Sequence, residues 1–193
     1  MYSPAMPALP ASGDAAADLD PGSPPARSIA LVGLMGVGKS TIGKRLAQRL
    51  RLPFVDSDQA IEAAADLSVA EIFDRYGEAQ FRDGERRVIA RLLEGPPHVI
   101  ATGGGAFMND ETRALILARA TSIWLDADVD VLAARVARRP GSRPLLRGRD
   151  PRQALAELAA VRNPVYALAD LRISSEPLPH QATIDMILRA LGR

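Results

Sequence analysis

The sequence predicts a three-layer α/β/α domain in which helices cover both faces of a five-stranded parallel sheet. From Ser28 onward, short apolar runs alternate with longer segments of helical periodicity, which is the order expected of βαβ units. The runs are too short for amphipathic helices, and their continuous apolar character is typical of strands buried on both faces. The five candidate strands are residues 28–32, 53–55, 98–101, 122–125 and 171–174.

The segments between these strands contain residues that favour the start of a helix. Four segments begin with a residue that favours the N-cap position: Ser68, Asp110, Asp128 and Asp150. Glu71 stands three residues after Ser68, as in a capping box, and Pro151 follows Asp150 at a first helical position. In such a sheet, ligands bind at the carboxyl ends of the strands. We therefore expect the functional residues in the segments that follow each strand.

Composition allows one domain and argues against several classes of partner. A net charge of +1 over 193 residues gives no overall field for nucleic acid, and no apolar run reaches the roughly 18 residues of a membrane span. With no cysteine and two histidines, a metal must use oxygen ligands, which suits Mg²⁺. Residues 1–27 are rich in Ala, Pro and Ser and lack signal-peptide features. We expect a disordered extension there, before a domain at 28–193, in a cytoplasmic, monomeric protein.

Residues 33–40, the phosphate loop, read Gly-Leu-Met-Gly-Val-Gly-Lys-Ser and match G-x-x-x-x-G-K-[ST] between a predicted strand and an amphipathic helix. Glycines let successive backbone N–H groups face inward, and the helix start adds its positive end, so the loop can cradle phosphates. ATP is therefore the predicted phosphate donor, with Lys39 on the β- and γ-phosphates and Ser40 on Mg²⁺. The predicted ATP-binding residues of this segment are Gly36, Val37, Gly38, Lys39, Ser40 and Thr41.

Further motifs follow the later strands in a set order. They are Asp56-Ser57-Asp58, Gly77-Glu78, Phe81-Arg82 with Glu85, Gly103-Gly104-Gly105, Arg143-Pro144-Leu145-Leu146, and Arg162-Asn163-Pro164 with Tyr166. Together with the phosphate loop, this set resembles the shikimate kinase family over nearly all of the chain from Ser28 to the C-terminus. The resemblance implies a P-loop kinase fold with a mobile lid.

The residues themselves already describe an acceptor pocket. Arg82 and Arg162 can each present a planar fork to a carboxylate, and Asp58 can accept hydrogen bonds from hydroxyl groups. The glycine loop, residues 103–105, has no side chain in the way of a small acceptor that approaches the backbone amides of Gly104 and Gly105. Together these features indicate an anionic polyol.

The resemblance supplies the identity of the acceptor and the roles within the site. It implies ATP-dependent phosphorylation of the 3-hydroxyl of shikimate, a step on the route to chorismate and the aromatic amino acids. Asp58 would act beside the reacting oxygen, and Asp56 would hold Mg²⁺ through water. Substrate binding would fall to Asp58, Arg82, Gly103, Gly104, Gly105 and Arg162.

Residues 138–150 are predicted to form the lid. This segment holds Arg138, Arg139, Arg143, Arg147 and Arg149 together with two prolines and two glycines. A basic loop that closes over ATP would supply cations to the transferring phosphate and exclude water. The resemblance implies that Arg143 contacts that phosphate as a catalytic residue and that Arg139 contacts adenine, with Arg138 the alternative for adenine.

Other interpretations stay open at the level of sequence. A gluconate-kinase-like enzyme would also join a phosphate loop to a polyol carboxylate site, although Arg82 with Arg162 and the triple glycine favour shikimate. A non-catalytic, ligand-sensing module of the same fold is the alternative from another class. Nucleoside monophosphate kinases rank lower, because 4% aromatic residues offer little on which a base could stack.

Overall fold

The computed structural model describes residues 25–138, 146, 148–175 and 179–193. Most of the predicted N-terminal extension, residues 1–24, lies outside these ranges. The centre of the predicted lid, residues 139–145 and residue 147, also lies outside them. Arg27 Nη2 donates to the carbonyl oxygens of Leu117, Ala118 and Ala120 at 3.2, 2.8 and 3.2 Å, which attaches the chain just before its first strand.

Five strands form one parallel sheet, which confirms the predicted fold class. They are β1 (Ser28–Val32), β2 (Phe54–Asp56), β3 (Val99–Ala101), β4 (Ala120–Asp126) and β5 (Leu171–Ser174). Their order across the sheet is β2-β3-β1-β4-β5, and each neighbouring pair runs parallel. All five side chains of β1 are buried. Because successive side chains of a strand point to opposite faces, both faces of the sheet must be covered.

Helices connect the strands as the alternating pattern predicts. Their bounds are α1 (Lys39–Leu50), α2 (Ser57–Ala65), α3 (Val69–Glu94), α4 (Asp110–Arg119), α5 (Val129–Ala137), α6 (Pro151–Tyr166) and α7 (His180–Ala190), with a 3-10 turn at Ala106–Met108. None of the helices in the described ranges combines the length and hydropathy that crossing a bilayer requires.

Three of the four predicted N-caps are confirmed, and one is wrong. Ser68 and Glu71 form both bonds of a capping box, and Asp128 and Asp150 accept from backbone amides of α5 and α6. The prediction for Asp110 is wrong, because Asn109 takes the extended conformation of the cap and accepts from the Thr112 amide at 2.9 Å. Asp110 is the first helical residue instead, and its carboxylate pairs with Arg113 at 2.7 Å.

The bounds of β2 and β4 differ from the predicted ones, because adjoining strands and helices determine where these strands begin and end. β2 is shifted by one residue, so that Asp56 is both its last residue and the N-cap of α2. β4 extends the predicted 122–125 at both ends, because it pairs with β1 on one side and β5 on the other. The apolar run alone marks only the buried centre of that strand.

The buried apolar side chains form two hydrophobic clusters in the described part of the chain. The larger one surrounds the sheet and contains fully buried Leu31, Ile123 and Leu125. The smaller one joins α2 to α3 and comprises Ile61, Ile72, Phe81 and Val88. Gly77 interrupts α3 with φ 80° and ψ 172°, so the segment that carries Arg82 begins after a kink. The helix pair that bears acceptor-site residues therefore has a packing unit of its own.

Candidate active site

A cleft of about 510 Å³ lies where the segments following β1, β2 and β3 meet. These three strands are neighbours in the sheet, so their carboxyl ends share one edge. The cleft is lined by residues of both predicted halves of the site, among them Lys39, Ser40, Asp56, Asp58 and Gly104. The structure therefore brings the predicted donor residues together with Asp58 and Gly104 of the acceptor side, whereas the other predicted acceptor residues, Arg82, Gly103, Gly105 and Arg162, do not line this cleft.

The phosphate loop turns sharply between β1 and α1. Gly33 has φ 134°, and a Cβ there would overlap the Leu125 carbonyl oxygen, so only glycine fits. Gly38 is the N-cap of α1 with φ 98°, and it makes no side-chain capping bond. The positive end of α1 therefore points at this turn and favours an anion there.

Lys39 and Ser40 begin α1 and face the cleft. Lys39 Nζ donates to the carbonyl oxygens of Gly33 at 2.7 Å and Leu34 at 3.0 Å, which holds the ammonium group over the phosphate loop. Ser40 Oγ donates to Asp56 Oδ2 at 2.6 Å, which joins the ends of β1 and β2. Thr41 also lines the cleft.

Asp56 and Asp58 are positioned by the start of α2. Asp56 Oδ1 accepts from the Asp58 amide at 3.1 Å, so Asp58 lies in the first helical turn and not in a loop. A Cβ on Gly103 would lie 2.7 Å from Asp58 Oδ1 and would overlap Glu85 Oε1. The carboxyl groups of Asp58 and Glu85 thus converge on the first residue of the glycine loop, and a side chain there would displace them.

Arg82 is held on α3 by two carboxylates. Its Nη1 lies 2.6 Å from Glu85 Oε2, and its Nη2 lies 3.1 Å from Glu78 Oε1. A Cβ on Gly105 would lie 2.5 Å from Arg82 Cζ and 2.7 Å from Nη1, so the guanidinium rests directly on the glycine loop. Burial raises the pKa of Glu85, while the charges of Arg82 and Arg162 act to lower it. Glu85 lies one turn from Arg82 in the sequence and was therefore predicted to orient it, and the structure confirms this pair, with Glu85 buried.

Arg162 and Tyr166 lie one turn apart on α6 and reach the middle of the glycine loop. Arg162 Nη1 donates to the Gly104 carbonyl oxygen at 2.9 Å, and the Tyr166 hydroxyl donates to the same oxygen. A Cβ on Gly104 would lie 3.6 Å from the Met35 amide nitrogen, so this glycine also borders the phosphate loop. Gly103, Gly104 and Gly105 therefore contact Asp58, Arg162 and Arg82 respectively.

Two groups that sequence reasoning missed also line the cleft. Arg135 of α5 places Nη1 3.5 Å from the carbonyl oxygens of Gly36 and Val37. His180 begins α7, and its Cε1 lies 3.8 Å from the Cβ position of Gly38. Arg135 stands one turn before Arg138, which lines the cleft as well, so helical periodicity could have found it. No local signal marks His180, which comes from the far end of the chain.

The lid residues Arg139 and Arg143 lie outside the described residues. Arg138, the alternative adenine contact, ends α5 and lines the cleft. The assignments of Arg139 to adenine and Arg143 to the transferring phosphate stay predictions.

Comparisons with known proteins agree on one family. A sequence profile described as shikimate kinase matches residues 35–192. The shikimate kinase of Bradyrhizobium diazoefficiens is 59% identical over 166 residues, which cover 86% of this chain and 80% of that protein. The shikimate kinase of Caulobacter vibrioides is 58% identical over 166 residues, covering 86% and 82%. A solved shikimate kinase from Acinetobacter baumannii, in complex with shikimate, has a TM-score of 0.82 and 34% identity, covering 86% of this chain and 92% of that one.

Proposed function

Because the chain belongs to the shikimate kinase family, we propose that it transfers the γ-phosphate of ATP to the 3-hydroxyl of shikimate, giving shikimate 3-phosphate and ADP. The observation that carries this proposal is the shared cleft, in which Lys39 of the phosphate loop faces the same space as Asp58 and Gly104. A kinase needs its donor and acceptor within one water-excluding space.

The donor side binds the phosphates of ATP. The amides at the start of α1 contact the β-phosphate, and Lys39 exchanges the carbonyl oxygens of Gly33 and Leu34 for phosphate oxygens. Since charge builds on those oxygens during transfer, the ammonium group stabilises the transition state more than the bound substrate. Arg135, beside the phosphate loop, adds a second cation on this side.

Mg²⁺ fits the donor atoms at the end of β2. Ser40 Oγ and Asp56 Oδ2 are hard oxygen ligands 2.6 Å apart, and Asp56 would act through a water molecule. The described ranges hold no cluster of three or more His, Asp or Glu side chains suited to a metal. Phosphate oxygens and water would therefore complete the coordination, as is usual for this ion. When bound, the ion neutralises charge on the β- and γ-phosphates.

The acceptor side binds a carboxylate and orders hydroxyl groups. Arg82 and Arg162 rest on adjacent glycines of one loop, so both guanidinium groups can reach one small acid. Asp58 lines the cleft, and its carboxylate would accept hydrogen bonds from the acceptor's hydroxyl groups. A guanidinium group donates more strongly to a carboxylate than to a neutral hydroxyl group, which favours an anionic acceptor.

The transfer step forms a bond between the acceptor oxygen and the γ-phosphorus. The bond from that phosphorus to the oxygen bridging the β-phosphate breaks, ADP leaves, and the hydroxyl proton is released. Asp58 orients the hydroxyl and can accept this proton, although a loose transition state asks little of a base. Arg143 would contact the transferring phosphate and Arg139 or Arg138 the adenine as the lid closes.

We also propose that the protein acts as a monomer. A cytoplasmic location accords with the use of ATP as the donor.

A panel of acceptors tests the proposal. ADP release is measured with MgATP and shikimate, quinate, gluconate or no acceptor. We expect kcat/KM for shikimate to exceed that for the other acids by about a hundredfold or more, because a site built on hydrogen bonds rejects ligands that leave its groups unpaired. A preference for gluconate would support the alternative kinase. Binding of ATP and shikimate without turnover would instead indicate a sensing module.

A further inference from the structure

The hydroxyl group of Tyr166 is a buried polar group that the mechanism above does not use. Tyr166 has no exposed surface at the end of α6. Its ring packs near Phe107 and Trp124, with centroid distances of 6.5 and 6.0 Å. Those contacts position the ring without any need for a hydroxyl. A buried hydroxyl is costly unless it is bonded, so its partners indicate what it does.

The partner of this hydroxyl is the carbonyl oxygen of Gly104, which also accepts from Arg162 Nη1 at 2.9 Å. Burial raises the pKa of Tyr166 to about 12, although the charge of Arg162 acts to lower it. The phenol therefore stays a donor throughout the neutral range. One carbonyl oxygen thus joins two side chains of α6 to the glycine loop.

The peptide unit that this bond holds lies between two glycines. Because a peptide group is planar, the Gly104 carbonyl and the Gly105 amide turn together. Glycines on both sides remove the steric limits that normally restrict such a rotation. Two hydrogen bonds from α6 therefore fix the direction of the Gly105 N–H, which the proposed site presents to the acceptor. The same bonds fix the guanidinium of Arg162.

We propose that Tyr166 is a positioning residue for the acceptor: its hydroxyl locks the Gly104–Gly105 peptide and the Arg162 guanidinium in the orientation that binds shikimate, without touching shikimate itself. This inference rests on the proposed function. It assigns to the hydroxyl a role in acceptor affinity that is separate from the role of the ring in packing.

Tyr166→Phe tests the inference, because it removes the hydroxyl and keeps the ring. Arg162 still satisfies the Gly104 carbonyl, so the variant should fold, which thermal unfolding checks. Calorimetry should show shikimate binding about three- to tenfold weaker, the usual worth of one hydrogen bond, and affinity for MgADP within about twofold of the wild type. Tyr76→Phe is the matched control, since Tyr76 is 58% exposed and distant from the loop in sequence. It should change neither affinity.

A double-mutant cycle with Arg162→Ala separates positioning from packing. If Tyr166 and Arg162 hold the same peptide, the loss of shikimate affinity in the double variant should differ from the sum of the two single losses. Fully additive losses would overturn the inference, as would an unchanged shikimate affinity in Tyr166→Phe or an equal weakening of MgADP. If Tyr166→Phe is too unstable, 4-fluorophenylalanine at position 166 keeps the volume without the donor. A wild-type protein that does not bind shikimate would instead refute the proposed function.

Discussion

Gly105→Ala should disable the acceptor site without disturbing the fold. Gly105 has φ −105° and ψ −10°, which alanine adopts freely, so the backbone carries no penalty. The added methyl would lie 2.5 Å from Arg82 Cζ and 2.7 Å from Nη1. Those atoms are the far end of a flexible side chain, so the guanidinium moves away while the backbone stays.

The size of the effect follows from the proposed role of Arg82 in binding the carboxylate. A charge-assisted hydrogen bond to the shikimate carboxylate is worth about 1.5–3 kcal/mol, which is roughly a 10- to 150-fold loss of affinity. Displacement also breaks the 2.6 Å pair with Glu85, which is only 1% exposed. Leaving that buried carboxyl without its guanidinium should lower the free energy of unfolding by about 1–3 kcal/mol.

Calorimetry with shikimate and with MgADP, beside urea unfolding, measures both effects. Gly84→Ala is the matched control, because it adds the same methyl to the helix of Arg82 with nothing within 4 Å. It should leave shikimate affinity unchanged and stabilise the helix by somewhat under about 1 kcal/mol. A folded Gly105→Ala protein that binds shikimate within about threefold of the wild type would refute the place given to Arg82.

Three further predictions concern charged groups of the cleft. Lys39→Met should lower kcat by about 10³- to 10⁵-fold in a folded protein, and a variant that retains a tenth of the wild-type rate would exclude the assigned role. Burial raises the pKa of Glu85, so its contribution to stability is present below its ordinary pKa and lost as the pH rises through the raised value. Glu85→Gln should flatten the pH dependence of urea unfolding in that window, and an unchanged slope would contradict the shift. Burial and two nearby arginines lower the pKa of His180, and the negative charge of bound MgATP should raise that pKa again. A proton NMR titration with and without MgATP, in which the His180 signal is assigned by its absence from His180→Gln, measures this change.

Much of the fold and half of the site are determined by local sequence. The three inner strands, β1, β3 and β4, are almost entirely buried, so they are nearly continuous apolar runs, and their centres were predicted from that pattern. The phosphate loop is eight consecutive residues whose glycines, lysine and serine act through their own backbone turn, so no distant neighbour is needed to recognise it. The capping box at Ser68 and Glu71 is local in the same sense.

Where two local signals compete, the sequence did not decide. Asn109 and Asp110 are both good N-caps, and only the backbone conformation assigns the cap to Asn109. Asp58 was predicted at the end of the second strand, because nothing in the sequence says that α2 begins immediately after β2. Element boundaries depend on pairing and capping partners that single residues do not specify.

The acceptor site was decided by the tertiary structure. Arg162 and Tyr166 meet the Gly104 carbonyl across separations of 58 and 62 residues, and Glu85 meets Asp58 at Gly103 from a different helix. Arg135 and His180 reach the phosphate loop from later elements in the same way. A motif can indicate that such residues matter, but which oxygen each guanidinium contacts depends on strand order and helix packing. Strand order and helix packing are set by the burial of apolar surface over the whole chain, so no local segment of the sequence determines them.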